Sequence, residues 1–127
     1  MRKQYSFWPG EEGFDAWDVD RLIELSRDFE AEEIDLEALW QIDENYWFDL
    51  DVSSVTPTVR GIVEHLQLTL DVDMSYPIIL GPDNRVMDEM HRVAWSLLHG
   101  RTSIRAVRFS QLPDPDYRKC RAEDLPY

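Results

Sequence analysis

The sequence predicts a single compact α+β domain, a small mixed sheet flanked by helices, and three observations in its second half carry that expectation. Tyr76-Pro77-Ile78-Ile79-Leu80 is a short apolar run closed by the turn signal Gly81-Pro82-Asp83-Asn84 and followed by Arg85-Val86-Met87, which reads as two strands with a tight connection. Residues 89–99 then set Met90, Val93, Ala94, Leu97 and Leu98 on one helical face, with Asp88 as the expected cap and Gly100 as the stop. Residues 104–109 return to strand patterning.

The other elements follow in chain order. Tyr5, Phe7, Trp8 and the Pro9-Gly10 turn form a short aromatic leader. Asp18 is placed to cap a helix over 18–29, where Leu22, Leu25 and Phe29 recur at helical spacing beside Ile23. Residues 34–42 mix a strand with a short helical turn, and Tyr46-Trp47-Phe48 is rich in strand-forming aromatics. Ser53-Ser54-Val55-Thr56-Pro57 offers caps for a following helix, whose Val59, Ile62, Val63 and Leu66 share a face expected to cover the core. Beyond Leu112, three prolines predict an extended tail. The chain thus divides into a leader and helix over 1–32, a core over 33–110 and a tail over 111–127, with no internal repeat.

Composition bounds the function. At 127 residues and 43% hydrophobic content, with five tryptophans, the chain can build one core. No apolar run approaches the roughly 20 residues needed to cross a bilayer, and no signal-peptide segment follows Met1, so the expectation is a soluble cytoplasmic protein with no membrane role. The net charge of −13 makes direct DNA binding a poor expectation, because phosphate-backbone affinity comes mainly from clustered Lys and Arg. Acidity is concentrated in 11–51, where Arg21 and Arg27 are the only cations. Its ordinary meaning is solubility and charge matching; its sharper meaning is an acidic surface for a basic protein partner, as an antitoxin or immunity protein would present. The single cysteine, Cys120, reads as an incidental thiol.

The order of strand, turn, strand, helix and strand over 76–109 resembles the ParB/sulfiredoxin superfamily. The residues that carry the likeness are Pro77-Ile78, Val86-Met87-Asp88-Glu89-Met90-His91-Arg92, Gly100 and the closing run Ile104 to Phe109. That family has a Pro-Ile strand, a second strand ending in an Asp-Gly-x-His-Arg or Gly-Glu-Arg-Arg type motif, a helix, a glycine and a final strand. The resemblance implies a ParB/sulfiredoxin-like fold and a phosphate cradle at the helix start, used for ATP or CTP with Mg²⁺ in phosphoryl transfer or nucleotide hydrolysis. Asp88, Met90, His91 and Arg92 would then hold the ligand, with Glu89 and His91 as the catalytic pair.

Elementary physics points the same way. His91 and Arg92 fall in the first turn of the expected helix, where the positive end of the dipole disfavours a cation unless an anion offsets it. Two departures from the family pattern matter. Glu89 stands where a glycine is common and adds negative charge at the closest approach of a phosphate. Met90 stands at the position resembling the sulfiredoxin cysteine, and a thioether cannot be that nucleophile, so sulfiredoxin chemistry is excluded. Glu64 and His65 precede the Pro-Ile strand and are within reach of the same cleft, although a structural role is the ordinary one. His65, His91 and His99 have no recognised metal spacing, so no metal site is expected.

Overall fold

The computed structural model describes residues 3–10, 12–48 and 57–127. Two sheets form. Strands β1 (Tyr5–Gly10), β2 (Gly13–Asp18) and β7 (Tyr117–Cys120) make an antiparallel sheet in the order β1-β2-β7. Strands β3 (Glu32–Asp35), β6 (Ser103–Arg108), β4 (Ile78–Leu80) and β5 (Val86–Asp88) make the second, in the order β3-β6-β4-β5. Only β4 and β6 run parallel, so this sheet is mixed. The helices are α1 (Val19–Leu25), α2 (Val59–Leu70) and α3 (Met90–Leu98), and short 3-10 turns cover Leu36–Ala38 and Trp40–Asp43. The α+β class read from the sequence is the class observed.

Side-chain alternation explains how the mixed sheet holds both layers. Ile78, Leu80, Val86, Ile104 and Ala106 share one face and pack with Leu36, Leu39, Met90 and Val93. Their neighbours Ile79, Met87 and Val107 take the other face and pack with Trp17, Leu22 and Phe109. A strand puts successive side chains on opposite faces, so a continuous apolar run such as Ile78-Ile79-Leu80 marks a sheet buried on both sides. The two strands expected over 76–87 and the one over 104–109 are β4, β5 and β6, of which β4 and β6 form the centre of the sheet and β5 an edge.

Elsewhere the structure corrects the sequence reading. The aromatic leader is the first strand of the hairpin β1–β2, the expected Pro9-Gly10 turn lies within β1, and the tail closes that sheet through β7. Trp17 Nε1 donates to Pro113 O at 2.8 Å, and Arg21 pairs with Asp116 at 3.1 Å, so the tail is bound to the hairpin side chain by side chain. Tyr46, Trp47 and Phe48 are not in a strand. Asp18 caps α1 as expected, accepting from Asp20 N at 2.9 Å, but the helix stops at Leu25 and buries Val19 and Leu22 while Leu25 and Phe29 stay exposed.

The expectation for α2 fails in a more consequential way. Ser53 to Thr56 lie outside the described residues, and the cap is Thr58, whose Oγ1 accepts from Gly61 N at 3.0 Å. The face that meets the core carries Gly61, His65 and Thr69, and Thr69 Oγ1 is satisfied by His65 O at 2.8 Å. Val59, Ile62, Val63 and Leu66 do not cover the core; all four are exposed. Among the described residues, no helix is long and apolar enough to cross a membrane.

Candidate functional site

The junction between β5 and α3 holds the residues singled out by sequence. Strand β5 ends at Asp88, and α3 begins at Met90, so the helix opens one residue after the strand. Glu89 makes the corner with φ 77°, ψ 51°, in the left-handed region. This conformation costs a residue with a Cβ about 1–2 kcal/mol and is free of that penalty for glycine. Glu89, and not Asp88, is thus the N-cap residue, and no side chain caps the first turn. Gly100, at φ 69°, closes the helix as expected, with Arg101 N donating to Ser96 O.

Asp88 is buried beside the corner. Burial, and next the Glu89 charge, push its carboxyl up to about 7. The side chain of Met90 belongs to the core cluster, so its backbone amide is the group it has left to offer a ligand. Arg92 is turned toward the loop between α2 and β4, donating from Nε to Asp73 O at 2.9 Å and from Nη1 to Pro77 O at 3.1 Å. Its ring contact is Tyr76, and its distance to Glu89 Oε2 is 3.8 Å. Arg92 therefore braces that loop.

His91 points the other way, into a cluster that the sequence only half disclosed. Its Nε2 lies 2.8 Å from His65 Nδ1, joining α3 to α2 by one shared proton. The two imidazoles are 15° from parallel, and the Trp47 indole stacks on both, at 4.6 Å from His65 and 4.7 Å from His91. Burial holds His91 down to about 4, with the neighbouring His65 adding to the shift, and burial also lowers His65. His65 Nε2 is buried with no hydrogen-bond partner among the described residues. Tyr46, packed on the same core cluster, has its phenol pushed up to about 12, chiefly by burial and next by Asp88.

The structure thus pairs His91 with His65 and keeps Asp88, Glu89 and Arg92 together at the corner, with the Arg92 guanidinium donating to a neighbouring loop. Trp47 and Tyr46 went unnoticed because their composition suggested a strand, and nothing in their spacing announced a stack on two histidines. Histidine 99 stands apart, stacked on Trp95 at 4.0 Å. Among the described residues, no group of three or more His, Cys, Asp or Glu could hold a metal ion. A surface hollow of about 440 Å³ lies elsewhere, beside Phe29, Glu32 and Arg108, where Arg108 is already engaged by Glu32 and Gly81 O.

Fold and site define a small α+β domain with a strained strand-to-helix corner and a paired-imidazole cluster at its side. No family model matches the chain, and no curated protein or solved structure matches it.

Proposed function

We propose that this domain binds a nucleotide or another phosphorylated or anionic small molecule at the β5–α3 corner. The observation that supports the reading best is the corner itself: a glutamate holds a backbone shape that favours glycine, at the head of a helix whose first turn has no side-chain cap. Strained backbone of this kind concentrates at functional sites. The open amides of Met90 and His91 and the helix dipole favour an anion there. Asp88 and His91 are each shifted by burial, as titratable groups at binding and catalytic sites often are.

In this reading the backbone amides position the anion, and His91, neutral at pH 7, donates or accepts a hydrogen bond and carries a proton if turnover occurs. Glu89 is the candidate base for an attacking water or hydroxyl. The resemblance to the ParB/sulfiredoxin superfamily, carried by residues 76–109, points to ATP or CTP with Mg²⁺. The residues at hand suit a cation that arrives on the phosphates rather than one held in a protein cage, since magnesium commonly takes one or two carboxylates plus substrate phosphate.

The test is calorimetry with ATP, CTP, GTP and inorganic phosphate, each with Mg²⁺. The parent should bind one of them, His91→Gln should weaken it at least tenfold, and Glu89→Gly should tighten it by removing a carboxylate from the phosphate's approach. Absence of heat with every probe, for the parent and for Glu89→Gly alike, removes the reading.

A further inference from the structure

The outward face of α2 is built as a seam for another helix. Val59, Val63, Leu66 and Leu70 follow a four-three-four spacing, which places them in one line along the helix, with Ile62 beside it. These five are 82, 53, 48, 51 and 52% exposed, so nothing among the described residues covers them. The seam is not spare core: the face turned inward is the one with Gly61, His65 and Thr69. A line of apolar residues at this spacing accepts knobs from a facing helix and has no comparable fit to an extended strand.

Charge decides which helix. Exposed Glu64 lies on α2 and Asp71 and Asp73 follow it, while no basic residue occupies the last turn to offset the negative end of the dipole. Arg60 is the lone arginine or lysine over 57–73. A second copy of this chain would bring two net charges of −13 together. A basic helix turns the same repulsion into attraction.

We infer that α2 is a docking surface for an amphipathic helix of a partner protein, one with Lys or Arg flanking its apolar line. The seam faces away from the His65 side of α2, so this inference stands independently of the anion site. It also moves the expected basic-partner surface from the acidic stretch 11–51 to α2.

The probe is a fluorescent synthetic helical peptide with leucines at four-three spacing and lysine flanks, compared with the same peptide flanked by glutamate. The parent should bind the basic peptide saturably and the acidic one at least tenfold more weakly. Val63→Ser/Leu66→Ser, which alters exposed positions and should keep its helical circular dichroism, should weaken the basic peptide at least tenfold. Equal binding by parent and variant would reduce the effect to bulk charge and overturn the inference. So would a lack of binding to both peptides. Sedimentation as a dimer that the double variant dissolves would make a second copy the occupant. Binding that emerges only after Leu50, Val52 and Val55 are changed to serine would assign the seam to the chain's own residues. Either result contradicts a partner helix.

Discussion

Glu89 concentrates the energetics of the site in one residue. Its positive φ is the shape that glycine takes without strain, and its cationic neighbour Arg92 is 3.8 Å away and engaged with backbone carbonyls. Glu89→Gly should therefore stabilise the fold by about 1 kcal/mol in denaturant unfolding, the strain relieved exceeding the entropy that glycine adds to the unfolded chain. Asp88 and His91 make opposing contributions to pH dependence. Asp88, raised to about 7, binds more protons folded than unfolded, so its contribution favours the fold at low pH and fades as pH rises from about 4 to 7. His91, lowered to about 4, binds fewer protons folded, so its contribution is lost as pH falls from 6.5 toward 4, and His65 adds in the same direction. Between pH 4 and 6.5 the two largely cancel in the parent. Asp88→Asn should unmask the histidines, with stability rising over that window by on the order of 2 kcal/mol; His91→Gln should leave a net fall. Unfolding curves at half-unit pH steps check both signs.

At the scale of elements, one end each of α1 and α3 was legible, while the far end of α1, the N-cap of α3 and the face of α2 were not. Asp18 and Gly100 do what their residue types dictate, because a cap depends on a few adjacent backbone groups. Thr58 is a cap of the same kind, and Thr58→Ala should cost about 1 kcal/mol. The face of α2 was misread because apolar spacing says that a stripe needs a cover without saying what supplies it. Within the chain the inner face is instead fixed by His65 meeting His91 and by the Thr69 hydroxyl finding its own helix backbone. Trp47 acts at this scale too, covering the contact between α2 and α3. Trp47→Ala should admit water to both imidazoles and move their titration upward toward 6.5, measurable from the ring proton shifts.

Across the whole molecule, the mixed sheet was legible and the hairpin sheet was not. The central strands are apolar, short and bounded by turn residues, and β4 and β6 differ from a loop in every local feature. The pairing of β2 with β7 joins residues about a hundred positions apart and depends on contacts that no local pattern encodes, such as Trp17 with Pro113 O and Tyr5 Oη with Pro126 O. Gly13 shows how tight this closure is. At φ 109°, a Cβ there would sit 2.8 Å from Cys120 O, so Gly13→Ala should lower stability by about 2 kcal/mol or more, read from the denaturation midpoint. The candidate site was legible along the chain from Asp88 to Arg92. Its direction was not, since only the fold sends Arg92 to a loop and His91 beneath Trp47.

The most direct measurement is a titration of the backbone amide signals of the protein with inorganic phosphate, MgATP and MgCTP. An anion seated on the head of α3 predicts saturable shifts at the Met90 and His91 amides and at the Trp47 indole, with α1 and β7 unmoved. Amides of Met90 and His91 that stay fixed at millimolar concentrations of every probe would contradict it.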